Sequence, residues 1–154
     1  MKTNFKKVVA ALGLVGLAAC GGTQARTVAV VEQPKIKDIP GVQPAALAAF
    51  NLGISALGKT PRDYLGALTA FKQASTSDPN FWEALENMGL LQTDLGQYQE
   101  AAETFRNEQR VIDDLVRRGW PVEARVSVNM ALGKALALGG RTRDAAEAFT
   151  KVLE

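Results

Sequence analysis

Histidine is absent from the 154-residue chain, and cysteine occurs once, at Cys20. Without histidine, the Ser-His-Asp and Cys-His arrangements have no base. A single cysteine excludes a disulfide within one chain and leaves no thiolate pair for zinc. Aromatic residues are scarce, with two Trp, two Tyr and six Phe against 14 Gly. That balance suits closely packed helices better than a β-sandwich. Neither sign of charge dominates, since 18 Lys and Arg face 16 Asp and Glu. Lys2, Lys6 and Lys7 account for the excess; without them 15 basic residues oppose 16 acidic ones, a net charge of −1. A near-neutral body gives no electrostatic reason for a nucleic-acid partner. No apolar run reaches the roughly 20 residues of a permanent membrane span.

The N-terminus has three parts. Lys2, Lys6 and Lys7 form a positive region, Val8 to Ala19 form an apolar run of 12 residues, and Leu17-Ala18-Ala19-Cys20 closes it with small residues before the cysteine. This is the layout of a secretion signal over residues 1–19. The closing tetrapeptide resembles the lipobox of bacterial lipoproteins. The resemblance implies cleavage between Ala19 and Cys20 and a diacylglyceryl (palmitate-type) anchor on Cys20. Two or three acyl chains hold a protein firmly to a bilayer, whereas one holds it only marginally. Gly21 in place of aspartate implies, by the sorting rule of enterobacteria-like lipoproteins, the outer membrane on its periplasmic side. The competing readings are a plain secretory signal with an incidental cysteine, and an uncleaved anchor. Lipidation alone gives a lone exported cysteine a use.

Residues 20–43 show no helical period. Gly21, Gly22, Pro34, Pro40 and Gly41 interrupt it, so the stretch reads as a tether. Val28 to Val31 is a brief β-prone run that is either linker or an edge added to a partner's sheet.

From Pro44 to residue 154 the pattern is helical and repetitive. Tyr64, Ala67 and Phe71 return 34 residues later as Tyr98, Ala101 and Phe105, and 44 residues after that as Thr142, Ala145 and Phe149. Each set follows an apolar residue and a glycine: Leu52-Gly53, Met88-Gly89 and Leu132-Gly133. Glycine inside a helix costs about 1 kcal/mol relative to alanine, so three in register require a steric reason. Two antiparallel helices close tightly where one presents no bulk, and the phenylalanines fill the wedge between them. The spacing resembles the tetratricopeptide repeat, which implies an all-α fold: a short solenoid of about three antiparallel hairpins. Boundary signals place the repeats at about 44–79, 80–118 and 121–154, with helices near 44–58, 61–76, 81–95, 98–118, 122–138 and 142–154. Asn80 with Glu83 reads as a capping pair for the third helix. Val111, Ile112, Leu115 and Val116 extend the fourth helix past its normal end, with Trp120 at the turn of an elongated hairpin. The position of the usual tryptophan is Ala49, Leu85 and Asn129 here, and the closing proline is present only as Pro79.

No catalytic constellation is visible, so the chain is read as a non-enzyme without cofactor, metal or small-molecule substrate. Glu83 with Glu86, Glu100 with Glu103 and Asp113 with Asp114 read as solvated helix faces. Arg117, Arg118 and Arg125 complement a helix terminus or meet anionic lipid. The resemblance implies a protein partner in the cell envelope, bound as a peptide or helix on the concave side. Carried over by position, the partner-binding groove comprises Phe50, Asn51, Ile54, Glu83, Glu86, Asn87, Leu90 and Met130, with Leu47, Ser127, Ala131 and Lys134 at its margins. Phe50, Ile54 and Leu90 are expected to point away from the hairpin interior. The lysine and arginine pattern of family members that grip a C-terminal acid is absent. The functional expectation is a membrane-tethered scaffold or assembly factor; the alternative is a non-catalytic subunit or glycan-binding module of an envelope enzyme.

Overall fold

A computed structural model describes residues 41–152. Six helices follow one another: α1 (Pro44–Leu57), α2 (Tyr64–Ser77), α3 (Trp82–Asp94), α4 (Tyr98–Arg117), α5 (Ala124–Leu138) and α6 (Thr142–Thr150). Each packs on the next, and α3 also touches α5. The signal segment, Cys20 and most of the tether lie outside the described residues.

The starts and stops follow from local chemistry. Pro44 occupies the first turn of α1, where a missing N–H costs nothing. Asp63 caps α2 by accepting from the Gly66 N–H at 2.8 Å. Residues 61–63, expected inside α2, therefore precede it: the cap fixes the helix start three residues further on. Three helices end on glycine in the left-handed region: α3 at Gly96 (φ +78°), α4 at Gly119 (φ +100°) and α5 at Gly140 (φ +78°). At each, the following N–H turns back to a carbonyl of the last turn: Gln97 to Gln92, Trp120 to Leu115 and Arg141 to Leu136, at 2.8–3.0 Å.

The hairpins close through the glycine and aromatic positions. A Cβ placed on Gly53 would stand 2.6 Å from the Phe71 ring, and one on Gly89 would stand 2.6 Å from the Phe105 ring. Gly133 receives the Phe149 ring in the same way. Phe71 and Phe105 are fully buried beside Ala67 and Ala101. Thus each glycine gives up a side chain so that a ring of its own repeat can press against the backbone.

Successive hairpins are joined by contacts the helical period does not announce. Phe81, in the turn before α3, is buried against Phe50 at a centroid distance of 4.9 Å, and Phe50 in turn meets Phe71 at 5.5 Å. Asp78, also buried, accepts from the Gln43 N–H and the Asn80 N–H, both at 3.1 Å. One carboxylate thereby ties the start of α1 to the turn between α2 and α3. The expected Asn80–Glu83 cap does not form, because Phe81 is the N-cap residue of α3 and no side chain caps it. The long α4 buries Ile112 and half-buries Leu115 and Val116 against α5. At its far end Trp120 meets Trp82 edge-on at 6.1 Å, so this turn leans on the start of α3.

Candidate functional site

The first helix of each hairpin carries the residues left over once the core is filled. On α3, Glu83, Glu86, Asn87 and Leu90 recur every three or four residues and share one face. Ser127, Met130, Ala131 and Lys134 occupy the corresponding face of α5, and Leu47, Phe50, Asn51 and Ile54 that of α1. Ile54, Leu90 and Met130 are 37%, 43% and 49% exposed, each a large apolar side chain left partly open. Asn51 is exposed. Asn87 is half-buried and donates its side-chain amide to the Glu83 backbone carbonyl at 2.7 Å.

Phe50 does not belong to this surface. It is 2% exposed and enclosed by Phe71 and Phe81, so it is a core residue that locks the first hairpin to the second. The position it shares with Glu86 and Met130 faces outward only where no neighbour like Phe81 folds over it.

The carboxylates on α3 are not simply solvated. Glu83 and Glu86 are half-buried, and a third carboxylate, Glu108 on α4, is only 2% exposed. One oxygen of Glu108 is fully buried and has no hydrogen-bond partner. Burial, and then the charges of Glu86 and Glu83, push Glu108 up to about 9. Burial pushes Glu83 up to about 7, with Glu86 adding to it, and raises Glu86 as well. Desolvation penalises the charged form of each, and no opposite charge offsets it. Glu108 was not anticipated from its residue type. The available signal was the register, since it falls 34 residues after Ala74, a buried alanine of the preceding hairpin.

The basic and acidic residues near the α4–α5 turn satisfy one another. Asp114 pairs with Arg117 at 3.2 Å and Arg118 at 2.6 Å, and Asp113 pairs with Arg125 at 2.7 Å. Glu100 and Glu103 are exposed on α4. An open cleft of about 490 Å³, lined by Asn80, Met88, Arg110, Asp114 and Arg117 among others, lies along the side of α4 away from its buried stripe. Among the described residues, no three acidic or cysteine side chains are grouped closely enough to hold a metal ion.

Antiparallel hairpins stacked in sequence, each closed by its own glycine and aromatic ring, define a helical-repeat array. Residues 62–110, from the start of α2 to the middle of α4, match the tetratricopeptide repeat family model. The hairpins that extend beyond the matched segment close on the same pairing of glycine and ring, Gly53 with Phe71 and Gly133 with Phe149. No curated protein matches the chain.

Proposed function

We propose that the chain is a lipid-anchored scaffold or assembly factor of the bacterial cell envelope, holding a helix or extended segment of a partner protein. The partner lies along the face of α1, α3 and α5. Tetratricopeptide repeats generally mediate protein–protein interactions. The observation that carries the reading here is the row of partly open apolar side chains, Ile54, Leu90 and Met130, on the first helix of each hairpin. Burying one such side chain against a partner contributes roughly 1.5–3 kcal/mol. Asn51 and Asn87 can fix the register of a bound backbone, at about 1 kcal/mol net for each hydrogen bond. The residues before Pro44 supply the address: Cys20 as the lipidated residue, Ala19 as the last residue removed, and the stretch to residue 43 as the tether.

Photo-crosslinking in cells tests the face. A benzophenone amino acid at position 90 or 130 is expected to trap a discrete envelope protein. The same probe at Leu65, which is 70% exposed on α2, is expected to trap none. Crosslinks from position 65 alone would place the binding surface elsewhere.

A further inference from the structure

Glu83 and Glu86 share a face of α3, and Glu108 on the adjoining α4 is close enough to feel the charge of both. Glu83, Glu86 and Glu108 take part in none of the ion pairs among the described residues. Helix α3 carries no basic residue. On α5, Arg125 is held by Asp113, and Lys134 is exposed; on α4, Arg110 is held by Asn107, and Arg106 is half-buried. A buried acid with an orphaned oxygen weakens the fold. The preceding hairpin avoids that cost by placing Ala74 at the equivalent position.

We infer that Glu83, Glu86 and Glu108 form the seat for an arginine side chain of the partner segment, with Leu90 and Met130 receiving apolar residues beside it. The inference rests on the face proposed above as the binding surface. A metal ion does not fit, because no three acidic or cysteine side chains among the described residues are grouped to hold one. A guanidinium does, since its five donors lie in a fixed fork that reaches more than one carboxylate. It is also the more weakly hydrated of the two basic side-chain heads, and so better suited to a half-buried site. The exposed Leu90, one turn beyond Glu86 on α3, extends the site past the reach of a free small cation. The occupant is therefore a protein segment with an arginine flanked by apolar residues. As the guanidinium docks, carboxyl groups still holding protons give them up to solvent, and the site becomes a set of charge-assisted hydrogen bonds.

The test is selection of a random phage-displayed dodecapeptide library on the full chain in detergent, followed by synthesis of the strongest peptide. Recovered peptides that no longer bind Leu90→Glu are expected to share an arginine with apolar neighbours. Replacing that arginine by citrulline is expected to weaken binding at least tenfold, as is Glu108→Gln or Glu86→Gln. Calorimetry in two buffers of different ionisation enthalpy should show proton release for the arginine peptide and none for the citrulline one. Leu90-dependent peptides without an arginine preference, or an arginine insensitive to all three glutamates, would overturn the inference while leaving the binding face intact. Ethylguanidinium alone binding as tightly as the peptide would make the site one for small cations and overturn it too. Recovery of no Leu90-dependent peptide would overturn both the face and its occupant.

Discussion

Glu108 occupies, one repeat later, the place that Ala74 fills in the first hairpin. Both are buried, but Ala74 brings nothing that needs water, whereas Glu108 brings a carboxyl group with an oxygen that bonds to nothing. The carboxyl group therefore weakens the fold at a position where alanine fits.

Stability should therefore fall as pH rises across the neutral range. The unfolded chain loses the Glu108 proton near 4.5, while the folded chain keeps it to about 9. Between those values the folded state binds the extra proton, so the free energy of unfolding decreases with pH. Glu83 acts in the same direction between 4.5 and about 7. Thermal melts from pH 5 to 9 are expected to show a falling Tm, and Glu108→Gln to flatten the decline. Glu108→Ala, which copies Ala74, should raise stability at pH 8 by about 1–3 kcal/mol. A Tm that rises through this window would mean that Glu108 is solvated.

Gly89→Ala should destabilise the fold despite the better helix propensity of alanine. The new Cβ would stand 2.6 Å from a ring that is itself enclosed. Overpacking of this kind costs about 1–3 kcal/mol, against a propensity gain of about 1 kcal/mol. Chemical denaturation should report a net loss, and pairing Gly89→Ala with Phe105→Leu should recover part of it. An unchanged midpoint would show that the ring moves aside freely.

Asp78→Ala should loosen the first hairpin more than the rest. It removes two backbone N–H bonds to a charged acceptor, each worth about 1.5–3 kcal/mol. Hydrogen exchange is expected to quicken at the start of α1 and in residues 78–81, with little change in α5. Uniform acceleration throughout the chain would argue that the clamp acts globally.

Cys20→Ser should abolish labelling by a palmitate analogue and leave residues 1–19 attached. If the serine variant still fractionates with the outer membrane by itself, lipid is not what holds the protein there.

The parts of this fold legible in the sequence are those governed by repetition at short range. Gly53 with Phe71 and Gly89 with Phe105 recur because a ring can lie against a helix backbone only where no Cβ intervenes, and that steric demand repeats with the hairpin. Phe50 reads as a surface position because its helical phase matches Glu86 and Met130, while the residue that covers it, Phe81, lies 31 positions away in a turn. Asn80 and Glu83 have the spacing of a cap, but Asp78 reaches the Asn80 N–H first. Glu108 was hidden by its type, since a glutamate on a long helix ordinarily faces solvent. Which of three carboxylates lose their water depends on how α3 and α4 pack, and the period of α4 alone does not encode that.

Phe149 repeats the role of Phe71 and Phe105 with a difference that shapes how the array comes apart. It is 37% exposed where they are sealed, and α6 packs chiefly on α5 among the described residues. In a solenoid, stability is roughly the sum of each unit and its neighbour contacts, so a hairpin whose ring is poorly covered opens at the lower cost. Among the described helices α6 holds the least sealed of the three rings, and its amides should exchange before those of α2 and α4. The middle hairpin, which carries Glu86, Leu90 and Glu108, is braced on both sides and stays closed longest, giving the proposed arginine seat a rigid frame while the margin beside it breathes.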